Sequence, residues 1–82
     1  MIKDEIEKAI EENKVVEFDY YSEKKGHSHR SGEPYEIKHT GTSDKLYLWD
    51  YSRDELRAFI LDNISNFKIT DETFVPRKSL RI

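Results

Sequence analysis

The chain contains no cysteine, and this absence excludes a disulfide framework and a thiolate metal site. It has only three glycines and two prolines in 82 residues, so no flexible or low-complexity linker divides it. No apolar run approaches the length of a transmembrane helix. The N-terminal segment is acidic and amphipathic, unlike a signal peptide, so a cytoplasmic location is expected. The length predicts one domain over residues 1–82.

Charge is abundant but unevenly distributed along the chain. Charged residues make up 38% of the sequence, and the formal net charge of −3 disfavours broad binding to a nucleic-acid backbone. Residues 1–23 contain eight acids and three bases, whereas residues 24–45 contain five bases and three acids. The sequence therefore predicts an acidic protein with a local basic patch.

Hydrophobic periodicity predicts one helix followed by about five short strands. Ile2, Ile6 and Ile10 recur on one helical stripe, so a helix is expected over about residues 2–13. Short alternating segments predict strands over about residues 15–70, with a polar loop or hairpin tip at 22–32 and a tail at 71–82. This order favours a mainly β, α+β fold: a small five-stranded Sm-like, SH3-type barrel that the helix caps.

The segment 46–64, LYLWDYSRDELRAFILDNI, predicts a hairpin that is apolar on both faces. With a loop at residues 52–55, Trp49 would pair with Ala58, and Asp50 would lie opposite Arg57 as a cross-strand ion pair. One face of the hairpin would line the barrel. The other would need cover from a helix, the chain terminus, a partner or a ligand.

Three aromatic residues share one face of the first hairpin strand: Tyr47, Trp49 and Tyr51. Aromatic side chains on barrel strands stack bases in RNA-binding and OB-type modules, so this ladder is a candidate nucleic-acid surface. The alternative is that the ladder packs beneath the helix or beneath the tail that begins at Phe74.

Basic side chains form a second set of candidates for contacts with phosphate: Lys24, Lys25, Arg30, Lys38 and Arg57. The alternatives are that Asp50 neutralises Arg57 and that the loop containing Lys24 and Lys25 is solvated. The last basic residues of the chain, Arg77, Lys78 and Arg81, are expected to form a solvated tail, or to extend a basic patch if the tail folds back.

Metal chemistry and catalysis have little support in the sequence. His27 and His29 form an H-x-H pair that His39 would extend to three ligands for zinc or nickel, but the sequence has no cysteine and shows no obvious carboxylate second shell. The sequence has no phosphate-binding loop, nucleophile elbow or buried carboxylate pair. It therefore predicts a non-enzymatic protein without a metal or cofactor.

Short motifs in a fixed order give the chain a family resemblance. They are Ala9-Ile10, Val16-Glu17-Phe18-Asp19-Tyr20, Glu33-Pro34-Tyr35-Glu36-Ile37, Leu46-Tyr47-Leu48, Arg57-Ala58-Phe59 and Leu61-Asp62-Asn63-Ile64. From the first helix to Phe74 the chain resembles the WYL domain family. The resemblance implies an Sm-like, ligand-sensing module of bacterial transcription regulators that binds nucleic acid or nucleotide-like ligands. By position it assigns binding roles to Tyr47 and Arg57.

The chain departs from the family at two positions, because Asn63 and Ile60 stand where the family often has basic residues. The usual helix-turn-helix is absent from the sequence, so we expect an adaptor or a module of something larger. The leading hypothesis is a non-enzymatic regulatory module that binds nucleic acid or a nucleotide-like ligand. The alternative is a protein-interaction or dimerisation module whose ligand site has decayed.

Overall fold

The computed structural model describes all 82 residues and consists of one α-helix and five strands. In chain order the elements are α1 (Ile2–Glu11), β1 (Lys14–Ser22), β2 (Gly26–Thr40), β3 (Ser43–Asp50), β4 (Glu55–Ile60), a 3-10 helix (Leu61–Asn63) and β5 (Ile64–Thr73). No helix has the length and hydropathy required to cross a membrane.

The five strands form one antiparallel sheet in the order β4-β3-β2-β1-β5. The mainly β architecture with one N-terminal helix agrees with the sequence prediction. The edge strands β4 and β5 are not hydrogen-bonded to each other, so the sheet is open. The predicted closed barrel is therefore not confirmed.

The sheet is nevertheless strongly curled around its core. The rings of Phe18 on β1 and Phe59 on β4 lie 5.4 Å apart, although β2 and β3 separate their strands. Three strand spacings in a flat sheet would separate them by about 14 Å. The backbone N–H of Ile60 also donates to the Tyr20 hydroxyl at 3.1 Å. A side chain thus links β1 directly to the edge strand β4.

The amphipathic stripe of α1 covers the inside of this curl. Ile6 and Ala9 are fully buried, and Ile2 and Ile10 pack at the edge of the same cluster. The helix ends at Glu11, two residues before the predicted end, and Asn13 follows in the left-handed conformation with φ 53°. The remaining core residues come from the strands and the 3-10 helix: Val16, Phe18, Leu46, Leu48, Phe59, Leu61 and Ile64.

Of the two interpretations of residues 22–32, the structure shows the hairpin tip and not the polar loop, but most of the segment belongs to β2. Residues 26–32 pair with β1, and a tight turn follows Ser22. Sequence patterning missed this strand because its core-facing positions carry Ser28, Arg30 and Gly32 instead of apolar residues. Polar side chains are tolerated there because Arg30 finds an acidic partner inside the fold.

The β3–β4 hairpin has a register two residues away from the predicted one. Trp49 pairs with Leu56, and Asp50 with Glu55. The turn contains Asp54, whose φ is 52°. A shift of two residues leaves every side chain on its predicted face and changes only its partner. The predicted ion pair between Asp50 and Arg57 is therefore not formed.

Asp50 instead pairs with Arg30 inside the fold. The Asp50 side chain is fully buried, and its Oδ2 accepts a hydrogen bond from Arg30 Nη1 at 2.9 Å. Its Oδ1 accepts from the backbone N–H of Ser52 at 3.0 Å and from the Ser52 hydroxyl at 2.8 Å. The Arg30 guanidinium lies 5.7 Å from the centre of the Phe59 ring. This ion pair ties β2 to the end of β3.

Gly32→Ala is expected to destabilise the fold by about 1–3 kcal/mol or more, through overpacking. Gly32 pairs with Val16 on one side and Asp50 on the other. A Cβ at this position would lie 2.0 Å from the carbonyl oxygen of Trp49. Urea denaturation measures the loss, with Ser31→Ala as the neighbouring control. Equal midpoints for the two variants would contradict the prediction.

Arg30→Ala is expected to destabilise the fold by about 3–5 kcal/mol, because it leaves the Asp50 carboxylate buried without its cation. Arg53→Ala removes the same charge from the exposed β3–β4 turn and should change the stability little. The double variant Arg30→Met with Asp50→Leu should recover most of the loss. Thermal and urea unfolding measure all three, and equal stability of the two alanine variants would refute the structural role of the pair.

Candidate ligand-binding site

The predicted aromatic ladder lies on the outer face, by which we mean the side of β2, β3 and β4 that points away from the core. Trp49 lies opposite Glu33 on one side and Leu56 on the other. Tyr47 lies two residues away on the same face. Tyr51 follows the end of β3, is 42% exposed, and turns its hydroxyl towards Glu33. The structure thus places all three aromatic residues outside the main core.

The chain's own C-terminal tail covers the ring of Trp49. The guanidinium carbon of Arg77 lies 4.2 Å from the ring centre, a cation–π contact. The prediction of a solvated tail is therefore wrong for Arg77. The sequence allowed a helix, the chain terminus, a partner or a ligand to cover this face of the hairpin. The structure shows the chain terminus over Trp49.

A buried carboxylate lies beside this contact. Glu33 is only 5% exposed, and its two oxygens accept four hydrogen bonds. Tyr35 Oη donates to Oε1 at 2.6 Å, and Tyr51 Oη donates to Oε2 at 2.9 Å. Arg77 donates from Nε to Oε1 at 3.0 Å and from Nη2 to Oε2 at 3.4 Å. We call Glu33, Tyr35, Trp49 and Tyr51 the Glu33 cage.

The electrostatics of the Glu33 cage favour an ionised carboxylate. Burial by itself raises the pKa of Glu33, but the hydrogen bonds from Tyr35, Arg77 and Tyr51 outweigh it and hold the pKa below its ordinary value. Burial and the bond to Glu33 raise the pKa of Tyr35 to about 12, and the same causes raise that of Tyr51 to about 12. Both tyrosines therefore stay protonated and donate to Glu33.

Sequence reasoning missed Glu33 and Arg77 as partners. The position of the tail depends on Phe74, whose backbone N–H donates to the carbonyl of Asn13 at 3.0 Å and whose ring lies 5.5 Å from that of Tyr35. The apolar Phe74 was a signal that the tail packs. The sequence contained no signal for the place where the following arginine would bind.

The other predicted site residues on the outer face lie further along the sheet. Lys38 Nζ lies 5.6 Å from the centre of the Tyr47 ring. Lys45 lies opposite Lys38 on the neighbouring strand. The structure thus brings Lys38 and Tyr47 together, while the exposed Lys24 and Lys25 lie at the distant β1–β2 turn.

Arg57 lies on the other face of the hairpin. It pairs with the buried Leu48, so its side chain starts from the core-facing side of the edge strand β4. It is half-buried and forms no ion pair, because Asp50 is bound to Arg30. The structure therefore separates Arg57 from Tyr47 and Trp49 by the thickness of the sheet.

The three histidines do not converge on one site. His29 Nδ1 lies 2.9 Å from Asp19 Oδ1, and Asn66 donates to the other Asp19 oxygen at 2.8 Å. His39 pairs instead with Asp44 at 2.7 Å, beside the β2–β3 turn. No group of three or more histidine or acidic side chains is arranged to hold a metal ion.

The late ionisation of two tyrosines is a measurable property of the Glu33 cage. The folded-state pKa of each tyrosine lies above the ordinary value of 10.0, so the shift contributes fully to the free energy of unfolding while the pH is below 10.0. That contribution is lost as the pH rises through about 12. Ultraviolet titration should show two of the five tyrosines ionising near pH 12. Glu33→Gln should lower both pKa values part of the way, because burial remains. Glu36→Gln, a change at an exposed residue of the same strand, is the control and should leave both tyrosine pKa values unaltered. If Glu33→Gln also left them unaltered, the coupling between Glu33 and the two tyrosines would be disproved.

Comparison with known proteins agrees with this architecture. No curated protein sequence matches the chain. The solved structure of proteasome accessory factor B/C (PafBC) of Arthrobacter aurescens is similar in fold, with a TM-score of 0.81 at 18% identity. The similarity covers 88% of this chain and 11% of that one. The WYL domain model matches residues 2–69, most of the chain, and ends before Arg77. The chain therefore belongs to the WYL domain family.

Proposed function

We propose that this chain is a non-enzymatic regulatory module that binds a phosphate-bearing ligand, either a nucleotide or a short single-stranded nucleic acid, through Arg57. Membership of the WYL domain family supports this proposal. The similarity in fold to a protein named as a proteasome accessory factor is consistent with an accessory role. The proposal rests mainly on the surroundings of Arg57.

The observation that carries the proposal is the absence of an acidic partner for Arg57. The sequence left two interpretations open, neutralisation by Asp50 or availability for a ligand. Asp50 is fully buried against Arg30, at an N–O distance of 2.9 Å, so it does not neutralise Arg57. Arg57, on the core-facing side of β4, therefore has a positive charge that no ion pair within the fold occupies.

The position of Arg57 strengthens its interaction with an anion. The side chain is half-buried, so water screens its charge less than it screens the charges of the exposed lysines in the β1–β2 turn. A guanidinium also presents a planar fork that matches two phosphate oxygens. One such arginine on a chain of net charge −3 fits a ligand with few phosphates better than a long duplex.

The outer face supports a smaller role for the aromatic ladder. Trp49 is under Arg77, and the hydroxyl of Tyr51 is bound to Glu33, so base stacking there would require the tail to leave. Arg77 makes its cation–π contact with Trp49, whereas the ring of Tyr47 has Lys38 beside it. We therefore propose Tyr47 and Lys38 as a separate, weaker contact for a nucleic-acid strand long enough to reach both faces.

The alternative function, a protein-interaction module, draws support from a different observation. The Glu33 cage already binds an arginine side chain from an irregular segment, which is how a peptide-recognition site works. This role involves the opposite face and a ligand of opposite charge. It is therefore compatible with an anion site at Arg57.

Arg57→Ala is expected to weaken binding of short single-stranded DNA, RNA or nucleotides by at least about tenfold, because a hydrogen bond to a charged group contributes about 1.5–3 kcal/mol. Arg53→Ala is the matched control, since it removes the same charge from the exposed turn of the same hairpin. Fluorescence anisotropy of labelled oligonucleotides, with nucleotides as competitors, measures both variants at two salt concentrations.

The two variants separate a specific site from general electrostatics. Equal weakening by Arg57→Ala and Arg53→Ala would mean that only net charge matters, and it would refute a site at Arg57. Absence of binding by the unaltered chain at low salt would refute the proposal altogether. Circular dichroism of each variant verifies that the fold is retained.

A further inference from the structure

None of the four residues of the Glu33 cage belongs to the tail that fills it. These residues belong to β2, to β3 and to the turn that follows β3. The hydroxyls of Tyr35 and Tyr51 each donate to a different oxygen of Glu33, so they fix the orientation of the carboxylate independently of Arg77. The site is therefore preorganised, which reduces the entropic cost of binding a cation.

The geometry of the occupant favours a guanidinium over an ammonium group. Arg77 contacts both oxygens of Glu33, through Nε and Nη2, while its guanidinium lies 4.2 Å from the centre of the Trp49 ring. A planar fork makes these contacts together, whereas a lysine ammonium is a point charge that loses the flat stacking and the second bond. The cage thus selects arginine.

The occupant lies on a segment that is loosely integrated in the fold. Residues 74–82 contain no helix or strand, and the side chain of Arg77 is 41% exposed. These features indicate that the tail could leave the cage without loss of any regular secondary structure.

The backbone around Arg77 indicates how a ligand would lie. The N–H of Arg77 donates to Tyr35 Oη at 3.1 Å, while the same hydroxyl donates to Glu33. Tyr35 therefore contacts both the backbone and, through Glu33, the side chain of the bound residue. This arrangement suits an arginine in an extended, irregular segment, whose backbone N–H is free of secondary-structure bonds.

We propose that the Glu33 cage is a docking site for an arginine side chain on an extended segment of a partner protein, and that Arg77 occupies it in the free chain. The site differs from the anion site proposed at Arg57 in face and in ligand charge. Failure of either proposal would therefore leave the other intact.

The test uses the full chain with Arg77→Ala, which removes the guanidinium from the cage, and a synthetic peptide of residues 74–82 as the probe. Trp49 is the only tryptophan and forms one wall of the cage, so its fluorescence reports binding. We expect saturable binding of this peptide. The peptide carrying Arg77→Lys should bind at least about tenfold more weakly, and adding Glu33→Gln to the protein should have a similar effect.

The unaltered chain provides the competition control. It should bind the peptide at least about tenfold more weakly than the Arg77→Ala chain, because its own Arg77 is held at a high effective concentration. Arg81→Ala, a change at the other tail arginine, should leave that weak binding unaltered. Failure of the folded Arg77→Ala chain to bind the peptide, or equal binding of the arginine and lysine peptides, would overturn the proposal.

Sedimentation of the unaltered chain distinguishes a partner protein from a second copy. A monomer over the concentration range of the titration supports a partner protein as the source of the arginine. Self-association that Arg77→Ala abolishes and Arg81→Ala preserves would show exchange of tails between copies, and it would overturn the assignment to a different protein.

Discussion

The buried ion pair between Arg30 and Asp50 is the interaction on which the remaining structure depends. It places a charge from β2 against the end of β3, next to Gly32, where the strands approach too closely for a side chain. Ser52, in the turn between β3 and β4, donates two hydrogen bonds to the other oxygen of the Asp50 carboxylate. The pair is therefore consistent with the observed hairpin register, and it leaves Arg57 without an acidic partner.

The hairpin consequently carries charged groups of opposite sign on its two faces. The core-facing side carries Arg57, which forms no ion pair, whereas the outer face carries the ionised Glu33 with its bound Arg77. A phosphate would be repelled by Glu33, and a guanidinium by Arg57. A sheet only one strand layer thick can thus hold opposite charges apart, because side chains alternate between its faces.

Much of the fold was predictable from local patterns. The helical stripe at Ile6 and the alternation through Leu46, Tyr47 and Leu48 correctly assigned each side chain to a face, because these periodicities are properties of the backbone. The strand at residues 26–32 escaped prediction because its core-facing positions are polar. Closure of the barrel was also overestimated, since a count of strands does not determine whether the edge strands meet.

The candidate sites show the limit of sequence reasoning more clearly. The sequence by itself determined that the aromatic ladder shares one face of the hairpin and that Arg57 and Phe59 share the other, since both follow from strand alternation. Only the tertiary structure decided which charges pair. Arg30 reaches Asp50 across 20 positions, and Arg77 reaches Glu33 across 44. The physical reason is that an ion pair depends on which strands become neighbours and on what is buried between them, and neither is encoded in a local pattern.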